Sequence, residues 1–195
     1  MLKSGKPLPH HVPDFLDWVD IEKGLSAKTQ ENYARFLEKF LAWLKISHLE
    51  ELKPHELSPE HIWQYRVFLS RKSKKSLKKS TQNYYLIALR ALLNYFADRD
   101  IVSLPAEKIK LAKDASDREV RFLTLEQLDK LFAAPDVHTK KGLRDRAVLE
   151  TFFSTGMRIA ELTVLNREQI KIPKGGEALE LGIVGKGGRS RTVYF

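Results

Sequence analysis

The chain has 195 residues, of which 34 are lysine or arginine and 25 are aspartate or glutamate, so its net charge is +9. This balance argues against an acidic or neutral metabolic enzyme and points to a polyanionic partner. Hydrophobic residues at 43% and aromatic residues at 10% are enough for a core, so we do not expect wholesale disorder, and the lack of cysteine excludes disulfides, thiolate zinc sites and cysteine nucleophiles.

The excess positive charge is concentrated in two short segments. Residues 71–79 (RKSKKSLKK) hold six basic and no acidic side chains, and residues 185–191 (GKGGRSR) hold three more basic ones. The other 179 residues are balanced at 25 basic and 25 acidic side chains. Local charge of this kind favours a contact surface over a general device for solubility.

The apolar residues do not form the long runs that are typical of membrane spans or signal peptides. No apolar run approaches the roughly 20 residues that span a bilayer, and the first residues (MLKSGKPLPHHV) lack the apolar stretch of a signal peptide. We therefore expect a soluble, cytoplasmic protein that makes no membrane contact. The length corresponds to one or two domains.

Four helical patterns occupy the first hundred residues. Apolar residues at helical spacing predict a helix from about Val12 to Val19 and a long helix after the N-cap candidate Ser26. A shorter helix follows Ser58, where proline stands at the first helical position, and the fourth starts near Ser80. The pattern predicts a four-helix domain over residues 1–105.

A linker and a second domain are predicted after the helices. Residues 106–120 are charged and small and lack apolar periodicity, so we assign them to an interdomain linker. Thr124 and Gln127 have the spacing of a capping box that opens a helix. A second helical pattern runs from about Gly142 to Gly156, where glycine suits a C-terminal stop, and helical spacing then resumes up to Leu165.

The end of the chain has the pattern of a small sheet. Residues 169–172, 178–184 and 192–195 are short and apolar, and glycine-rich hairpin signals separate them. A small sheet needs a packed face, and 75 residues (121–195) are few for an α+β domain with its own core. We therefore expect the second domain to be incomplete, unless its strands pack on the helices already present.

Two motifs in this second half could carry phosphate chemistry. In TGMRIAEL (155–162), the planar fork of Arg158 suits a phosphate, and Glu161 lies three residues on, within reach of neighbouring groups. Alternatively these two residues form an ordinary surface ion pair, which is the commoner case for an arbitrary sequence. Lys186 stands at the tip of a glycine-flanked hairpin, where it can approach a phosphate as a charge or a proton donor, or be a solvated loop residue.

These stretches together resemble a known family. Residues 143–162 (LRDRAVLETFFSTGMRIAEL) and 185–193 (GKGGRSRTV) resemble the start of the catalytic domain of tyrosine recombinases, the Xer and phage-integrase group. Residues 25–33 (LSAKTQENY) and 80–84 (STQNY), with Leu89-Arg90, are similar to its core-binding domain. The resemblance implies a mainly α fold: a SAM-like four-helix core-binding domain, then a truncated α+β catalytic domain with a small antiparallel sheet.

The resemblance also implies roles for individual residues. Arg158 resembles the first catalytic arginine, which binds the scissile phosphate and stabilises charge on its oxygens. Lys186 resembles the hairpin lysine, the general acid for the 5′-oxygen leaving group. Glu161 matches the acidic position that supports the site. Arg189 and Arg191 match basic hairpin positions that either contact DNA phosphates or are only solvated.

Other parts of the family pattern are not found in these residues. The family's His-x-x-Arg motif, its later His or Trp and its tyrosine nucleophile are expected beyond residue 195, and no histidine here has an arginine three residues on. Tyr194 lies in a predicted strand, so we interpret it as a strand residue and not as the nucleophile. With no nucleophile in this chain, we expect it to be catalytically incomplete.

The basic segment 71–79 allows two interpretations. It is either a solvated loop between helices or a segment that contacts DNA phosphates, and the resemblance favours contact. The candidate DNA-binding residues are basic or amide side chains on the predicted helices, on this segment and on the hairpin. They are Lys28, Asn32, Arg35, Lys74, Lys75, Lys78, Lys79, Arg90, Arg189 and Arg191.

The leading hypothesis is site-specific recombination or integration of double-stranded DNA without a metal or other cofactor. The resemblance also implies a homo-oligomer, a tetramer on DNA when the C-terminal part is present, and a monomer in solution is the alternative. One alternative is a non-catalytic, truncated relative that occupies or modulates recombination sites. Another is a basic module that binds RNA or acidic membrane surfaces, which the balanced remainder of the chain makes the least favoured.

Overall fold

A computed structural model describes residues 2–71, 77–112, 122–170, 179–185 and 188–195. The chain divides into two compact units, residues 1–117 and 118–195. The described part of the first unit is helical, and that of the second combines helices with a two-stranded antiparallel sheet. The mainly α fold with a small antiparallel sheet is thus confirmed.

The four predicted helices of the first unit are confirmed. They are α1 (Val12–Ile21), α2 (Ala27–Ile46), α3 (Pro59–Arg71) and α4 (Lys79–Asp98). Ser26 stands at the N-cap position of α2, but its hydroxyl contacts the Thr29 hydroxyl at 3.0 Å and no backbone N–H. The stability of α2 therefore comes mainly from the packing of its apolar face.

An aromatic core holds the helical unit together. Phe40 of α2 meets Tyr65 of α3 with ring centroids 5.1 Å apart, and Phe15 of α1 meets Tyr95 of α4 at 6.0 Å. Leu89 of α4 is also completely buried. Each large apolar side chain removed from water contributes about 1.5–3 kcal/mol. These contacts join all four helices into one core.

The first residues of the predicted linker pack against this unit. Ala106 and Ile109 are buried in its core. The Asn83 side chain donates to the carbonyl of Ala112 at 2.9 Å and accepts from its N–H at 3.0 Å. Arg66 donates to the carbonyl of Lys110. The packed part of the unit therefore extends at least to Ala112.

Three helices and two strands are described in the second unit. They are α5 (Leu125–Ala133), α6 (Lys140–Thr155), α7 (Ile159–Thr163), β1 (Glu180–Val184) and β2 (Ser190–Tyr194). The capping box is confirmed, because Thr124 and Gln127 exchange hydrogen bonds between side chain and backbone. Gly156 ends α6 with a φ of +60°, a left-handed conformation that glycine adopts without strain.

The strand predicted at 169–172 is wrong for the residues that can be described. Gln169 closes a 3₁₀ turn (Arg167–Gln169), and its side chain accepts from the N–H of Asn166 at 2.8 Å. Side-chain to backbone bonds of this kind compete with strand pairing. Ile170 follows the turn without joining a strand, and residues 171–172 lie outside the described part of the chain.

The register of the hairpin decides which side chains face the helices. Leu181 pairs with Val193, and Ile183 pairs with Arg191. Opposed residues of an antiparallel pair share a face, and Leu181, Ile183 and Val193 are all buried beside Met157. Arg191 therefore lies on the inward face of the hairpin, among apolar positions.

One buried polar atom in the helical unit leads to a stability prediction. Tyr65 is fully buried, and its hydroxyl finds no hydrogen-bond partner in the described part of the chain. Burial also raises the pKa of this hydroxyl. Because an unpaired buried hydroxyl is costly, we expect Tyr65→Phe to raise the free energy of unfolding by about 1 kcal/mol.

Urea unfolding followed by tryptophan fluorescence measures this change, since Trp43 lies 5.4 Å from the Tyr65 ring. Tyr84→Phe is the matched control, because Tyr84 is exposed on α4 and we expect its hydroxyl to contribute little. A loss of stability in Tyr65→Phe would show that the hydroxyl has a partner.

Candidate functional site

Arg158 lies at the junction between α6 and α7. Gly156 turns the chain at the end of α6, Met157 is buried against the hairpin, and Arg158 is the N-cap residue of α7. The backbone of Arg158 is thus held from both sides, whereas its side chain is 66% exposed. The structure therefore presents this guanidinium to solvent from an anchored backbone.

Glu161 lies in the first turn of α7 and is almost completely buried, with 7% of its surface exposed. Its Oε2 accepts from the backbone N–H of Arg158 at 2.8 Å, and its Oε1 accepts from Arg158 Nη1 at 3.0 Å. Arg191 donates from Nη1 to Oε1 at 2.9 Å and from Nη2 to Oε2 at 2.7 Å. We call Glu161, Arg158 and Arg191 the Glu161 cluster.

This hydrogen bonding keeps Glu161 ionised. Chiefly through the bonds from Arg191, and then through the backbone N–H of Arg158, the pKa of Glu161 is lowered to about 2. The same pairing raises the pKa of Arg191. Two guanidinium groups thus share one carboxylate, so the cluster carries one net positive charge, and most of the exposed surface belongs to Arg158.

The hairpin begins in contact with the Glu161 cluster. A Cβ placed on Gly185 would lie 3.1 Å from both Arg191 Nη1 and Glu161 Oε1, so a larger residue there would crowd the ion pair. Gly185 donates to the carbonyl of Arg189 at 2.8 Å, and Gly188 turns the chain with a φ of +73°. Lys186, the predicted general acid, follows Gly185 in sequence but lies outside the described residues.

The two hairpin arginines have different surroundings. Arg189 is exposed, and no ion pair to its side chain is found in the described part of the second unit. Arg191 donates both terminal nitrogens of its guanidinium to the carboxylate of Glu161. The sequence placed both in one group of basic hairpin residues, and the structure separates them.

Three of the DNA-binding candidates lie on α2. Lys28 pairs with Glu31 at 2.6 Å, and both side chains are largely exposed. Arg35 donates to Asn32 at 3.1 Å. Its guanidinium also lies 5.0 Å from the centre of the Phe36 ring. Among the residues that the structure describes, these side chains contact neighbours on the same helix surface, so an external partner can reach them.

The candidates on α4 begin at its first residue. Lys78 is the N-cap residue, Lys79 opens the helix, and both are exposed, whereas Arg90 is half-buried. Lys74 and Lys75 lie outside the described residues, so the predicted contact of the basic segment 71–79 remains a prediction for them.

The candidates of the helical unit form an extended set and not one cluster. Lys23 pairs with Asp98 at 3.1 Å, which ties the turn before α2 to the C-terminal end of α4. Lys28 therefore begins α2 near that end, whereas Lys79 stands at the other end of α4, a 20-residue helix about 30 Å long. A partner that contacts both Lys28 and Lys79 must extend over about 30 Å, as a short DNA duplex does.

A groove beside Lys79 contains candidates that the sequence analysis missed. It has a volume of about 330 Å³ between α3 and α4, and its lining includes Trp63, Arg71 and Gln82. Trp63 is 61% exposed, although tryptophan usually buries its ring. A sequence signal was present, because Trp63 lies outside the buried stripe of α3 that contains Ile62, Tyr65 and Leu69.

Within the described ranges, no helix has the length and apolar character needed to cross a membrane. The same residues hold no group of three or more His, Cys, Asp or Glu side chains placed to bind a metal ion.

Comparison with protein families gives two matches in chain order. A model described as "Phage integrase, N-terminal SAM-like domain" matches residues 12–100, and one described as "Phage integrase family" matches residues 121–195. Tyrosine recombinase XerD of Vibrio vulnificus (strain YJ016) is 29% identical over 183 residues, which are 94% of this chain and 57% of XerD. XerC of Syntrophus aciditrophicus (strain SB) is 31% identical over 186 residues, which are 93% of this chain and 58% of XerC.

The chain thus spans a little under three fifths of the length of these curated relatives. Solved structures share its fold. The XerH site-specific recombinase bound to palindromic difH substrate, in a post-cleavage complex, matches with a TM-score of 0.64 at 19% identity and covers 100% of this chain and 60% of its own. The Tn1549 transposon integrase in complex with circular intermediate DNA matches with a TM-score of 0.61 at 16% identity, covering 93% and 59%. From the two family matches and the Xer relatives, the chain belongs to the phage integrase family as a Xer-like tyrosine recombinase.

Proposed function

We propose that this chain binds double-stranded DNA and activates a phosphodiester in site-specific recombination. One observation carries the proposal: the guanidinium of Arg158 is held by the buried Glu161 through a single nitrogen and is otherwise exposed. An arginine in this state keeps several N–H donors free for the oxygens of a phosphate.

The proposed roles follow the chemistry of strand exchange. A tyrosine hydroxyl loses its proton to a base and its oxygen attacks the scissile phosphorus, so that a 3′-phosphotyrosyl bond forms while the bond from phosphorus to the 5′-oxygen breaks. We assign neither this tyrosine nor the base to any of the 195 residues. Arg158 stabilises the negative charge on the phosphate oxygens in the transition state. Lys186 gives a proton to the departing 5′-oxygen. Glu161 holds Arg158 and does not touch the substrate.

The helical unit supplies the proposed grip on the duplex. Lys28, on α2, lies near the C-terminal end of α4, and Lys79 lies at its N-terminal end. The basic residues are therefore spread over about 30 Å. Phosphates are spaced regularly along a duplex, and such contacts position the protein without reading sequence. The two units would thus hold one duplex, with cleavage chemistry near Arg158.

A second candidate function has its own support. Five of the six tyrosines lie in the helical unit, and the sixth, Tyr194, lies on β2 with 55% of its surface exposed. If this residue is a strand residue and not a nucleophile, the chain would occupy a recombination site without cutting it, as a non-catalytic relative that blocks or modulates an active partner.

A DNA-binding series tests the proposal. We expect the chain to bind a duplex, to prefer it over double-stranded RNA and anionic vesicles, and to lose about tenfold in affinity in Arg158→Gln. The salt slope should fall by about 0.9 in this variant, as for one lost phosphate contact. Arg144→Gln is the matched control, because Arg144 is an exposed arginine of α6 that pairs with Asp145.

Equal losses in Arg158→Gln and Arg144→Gln would contradict a phosphate role for Arg158. A nicked suicide substrate, which traps covalent protein–DNA complexes, separates the two candidate functions. We expect no adduct from the 195 residues alone. A trapped adduct on Tyr194 would show that this tyrosine is a nucleophile.

A further inference from the structure

Arg191 stands at a position where a strand normally carries an apolar residue. It lies directly opposite Ile183 and two residues before Val193, and both neighbours are buried on the face toward the helices. A guanidinium on this face is unfavourable unless a carboxylate meets it. Glu161 is that carboxylate, 30 residues away in sequence, and it bonds both terminal nitrogens of Arg191.

The same carboxylate holds Arg158. Glu161 accepts from the backbone N–H and from the side chain of Arg158, so one buried group joins α7 to the hairpin. Charge-assisted bonds of this two-pronged kind fix orientation as well as distance. A movement of β2 relative to α7 would break the bonds to Arg191 and leave Glu161 buried with fewer partners.

The apolar contact between hairpin and helices is small. Among the described residues, the buried apolar cluster of the second unit has four members, Met157, Leu181, Ile183 and Val193, and the partly buried Phe152, Leu162 and Leu165 pack against it. A two-stranded hairpin with so little apolar contact is marginal without further support. The Glu161 cluster adds directional hydrogen bonds between the hairpin and α7, which the apolar contacts do not provide.

Gly185 links the Glu161 cluster to the loop of the hairpin. A Cβ placed on Gly185 would lie 3.1 Å from Arg191 Nη1 and from Glu161 Oε1, and Gly185 is the residue before Lys186. The backbone at Gly185 therefore lies close to the same carboxylate that holds Arg158, and a side chain there would disturb the pair.

We infer that Arg191 is a positioning residue that works through Glu161 to hold the hairpin against α7, so that Arg158 and Gly185, the last residue of the hairpin before Lys186, are aligned with each other. Its partner is the carboxylate of its own chain and not a DNA phosphate. The value of this alignment for catalysis rests on the function proposed above, whereas the contact itself exists without DNA.

The decisive experiment uses the free protein. The chain contains two methionines, Met1 and Met157, and Met157 lies in the hairpin cluster, so methyl NMR of methionine-labelled protein reports on hairpin packing at one site. In Arg191→Gln we expect the Met157 signal to move to the position of an exposed methionine. We also expect hydrogen-exchange protection of β1 and β2 to fall by about tenfold or more.

Two matched variants accompany this change. Arg189→Gln removes a charge two residues away and should leave the Met157 signal and the protection as in the wild type. Arg191→Lys keeps the charge without the fork, so we expect it to recover part of the protection. A Met157 signal and strand protection that stay unchanged in Arg191→Gln would overturn the inference, even if the pKa of Glu161 rises.

A DNA arm tests the alignment itself. If Arg191 acts through Glu161, the double variant Glu161→Gln/Arg191→Gln should lose no more duplex affinity than Glu161→Gln alone. Losses that multiply would identify Arg191 as an independent phosphate contact and overturn the inference. If the wild type does not bind a duplex, the proposed function fails, and the methyl and exchange measurements still decide the role of Arg191 in the fold.

Discussion

Replacing Lys74, Lys75, Lys78 and Lys79 together with alanine is expected to lower duplex affinity by about two to three orders of magnitude near physiological salt. Each neutralised phosphate contributes roughly 0.9 to the slope of log affinity against log salt, so four contacts contribute about 3.6. Lys78 and Lys79 support the prediction, because both are exposed at the start of α4. Binding titrations at several salt concentrations measure both quantities.

A second quadruple variant controls for the loss of net charge. Lys3, Lys45, Lys108 and Lys110 are exposed lysines of the helical unit outside the basic segment. Replacing all four with alanine removes the same charge, and we expect it to change the affinity much less, because only long-range attraction is lost. Equal effects of the two variants would show that location is irrelevant and that the basic segment is a solvated loop.

Glu161→Gln is expected to release the hairpin from α7 at every pH above about 3. The neutral amide loses the ionic attraction to both arginines, and its NH₂ group meets donors where the carboxylate offered acceptors. We expect strand protection and the Met157 methyl signal to change in the same direction as in Arg191→Gln. Hydrogen exchange and methyl NMR measure both.

The pH dependence of the wild type gives a second measurement. The pKa of Glu161 is lowered from the ordinary value of 4.5 to about 2, so the folded state favours the ionised carboxylate. Its contribution is complete above about pH 4.5 and is lost as the pH falls through about 2. In Glu161→Gln this part of the acid dependence disappears. Strand protection in the wild type that stays level between about pH 4.5 and pH 2 would contradict the lowered pKa.

Glu150→Gln is the matched control for this residue. Glu150 also pairs with an arginine of the second unit, Arg146 at 2.8 Å, but both side chains are about half exposed on α6. Exposed pairs of this kind contribute little, because water screens them and the side chains lose entropy on pairing. We therefore expect Glu150→Gln to leave the hairpin unchanged.

Much of the local structure could be predicted from the sequence. The spacing of Phe40, Leu44 and Leu89 with their neighbours repeats every 3.6 residues over long stretches, and such a pattern is compatible with one kind of element. Thr124 and Gln127 formed the expected capping box, and Gly156 ended its helix as predicted. These features depend on residues within one or two helical turns of each other.

Short apolar runs were less informative. Residues 169–172 were predicted as a strand, yet Gln169 closes a 3₁₀ turn through a bond to Asn166. Ile109 fell in a predicted linker but is buried, because one apolar residue without periodicity gives no sign of the surface that will cover it. In both cases neighbouring contacts outweighed the local pattern.

By itself, the sequence determined the helices, the cap at Thr124, the stop at Gly156, the family and the residues Arg158 and Glu161 as a pair, because all of these depend on short-range spacing and motifs. Only the tertiary structure decided the partner of Arg191. Its direction depends on strand register, where a slip of one residue turns every side chain to the other face, and its partner lies 30 residues away. A contact between distant residues depends on packing, which no local pattern records.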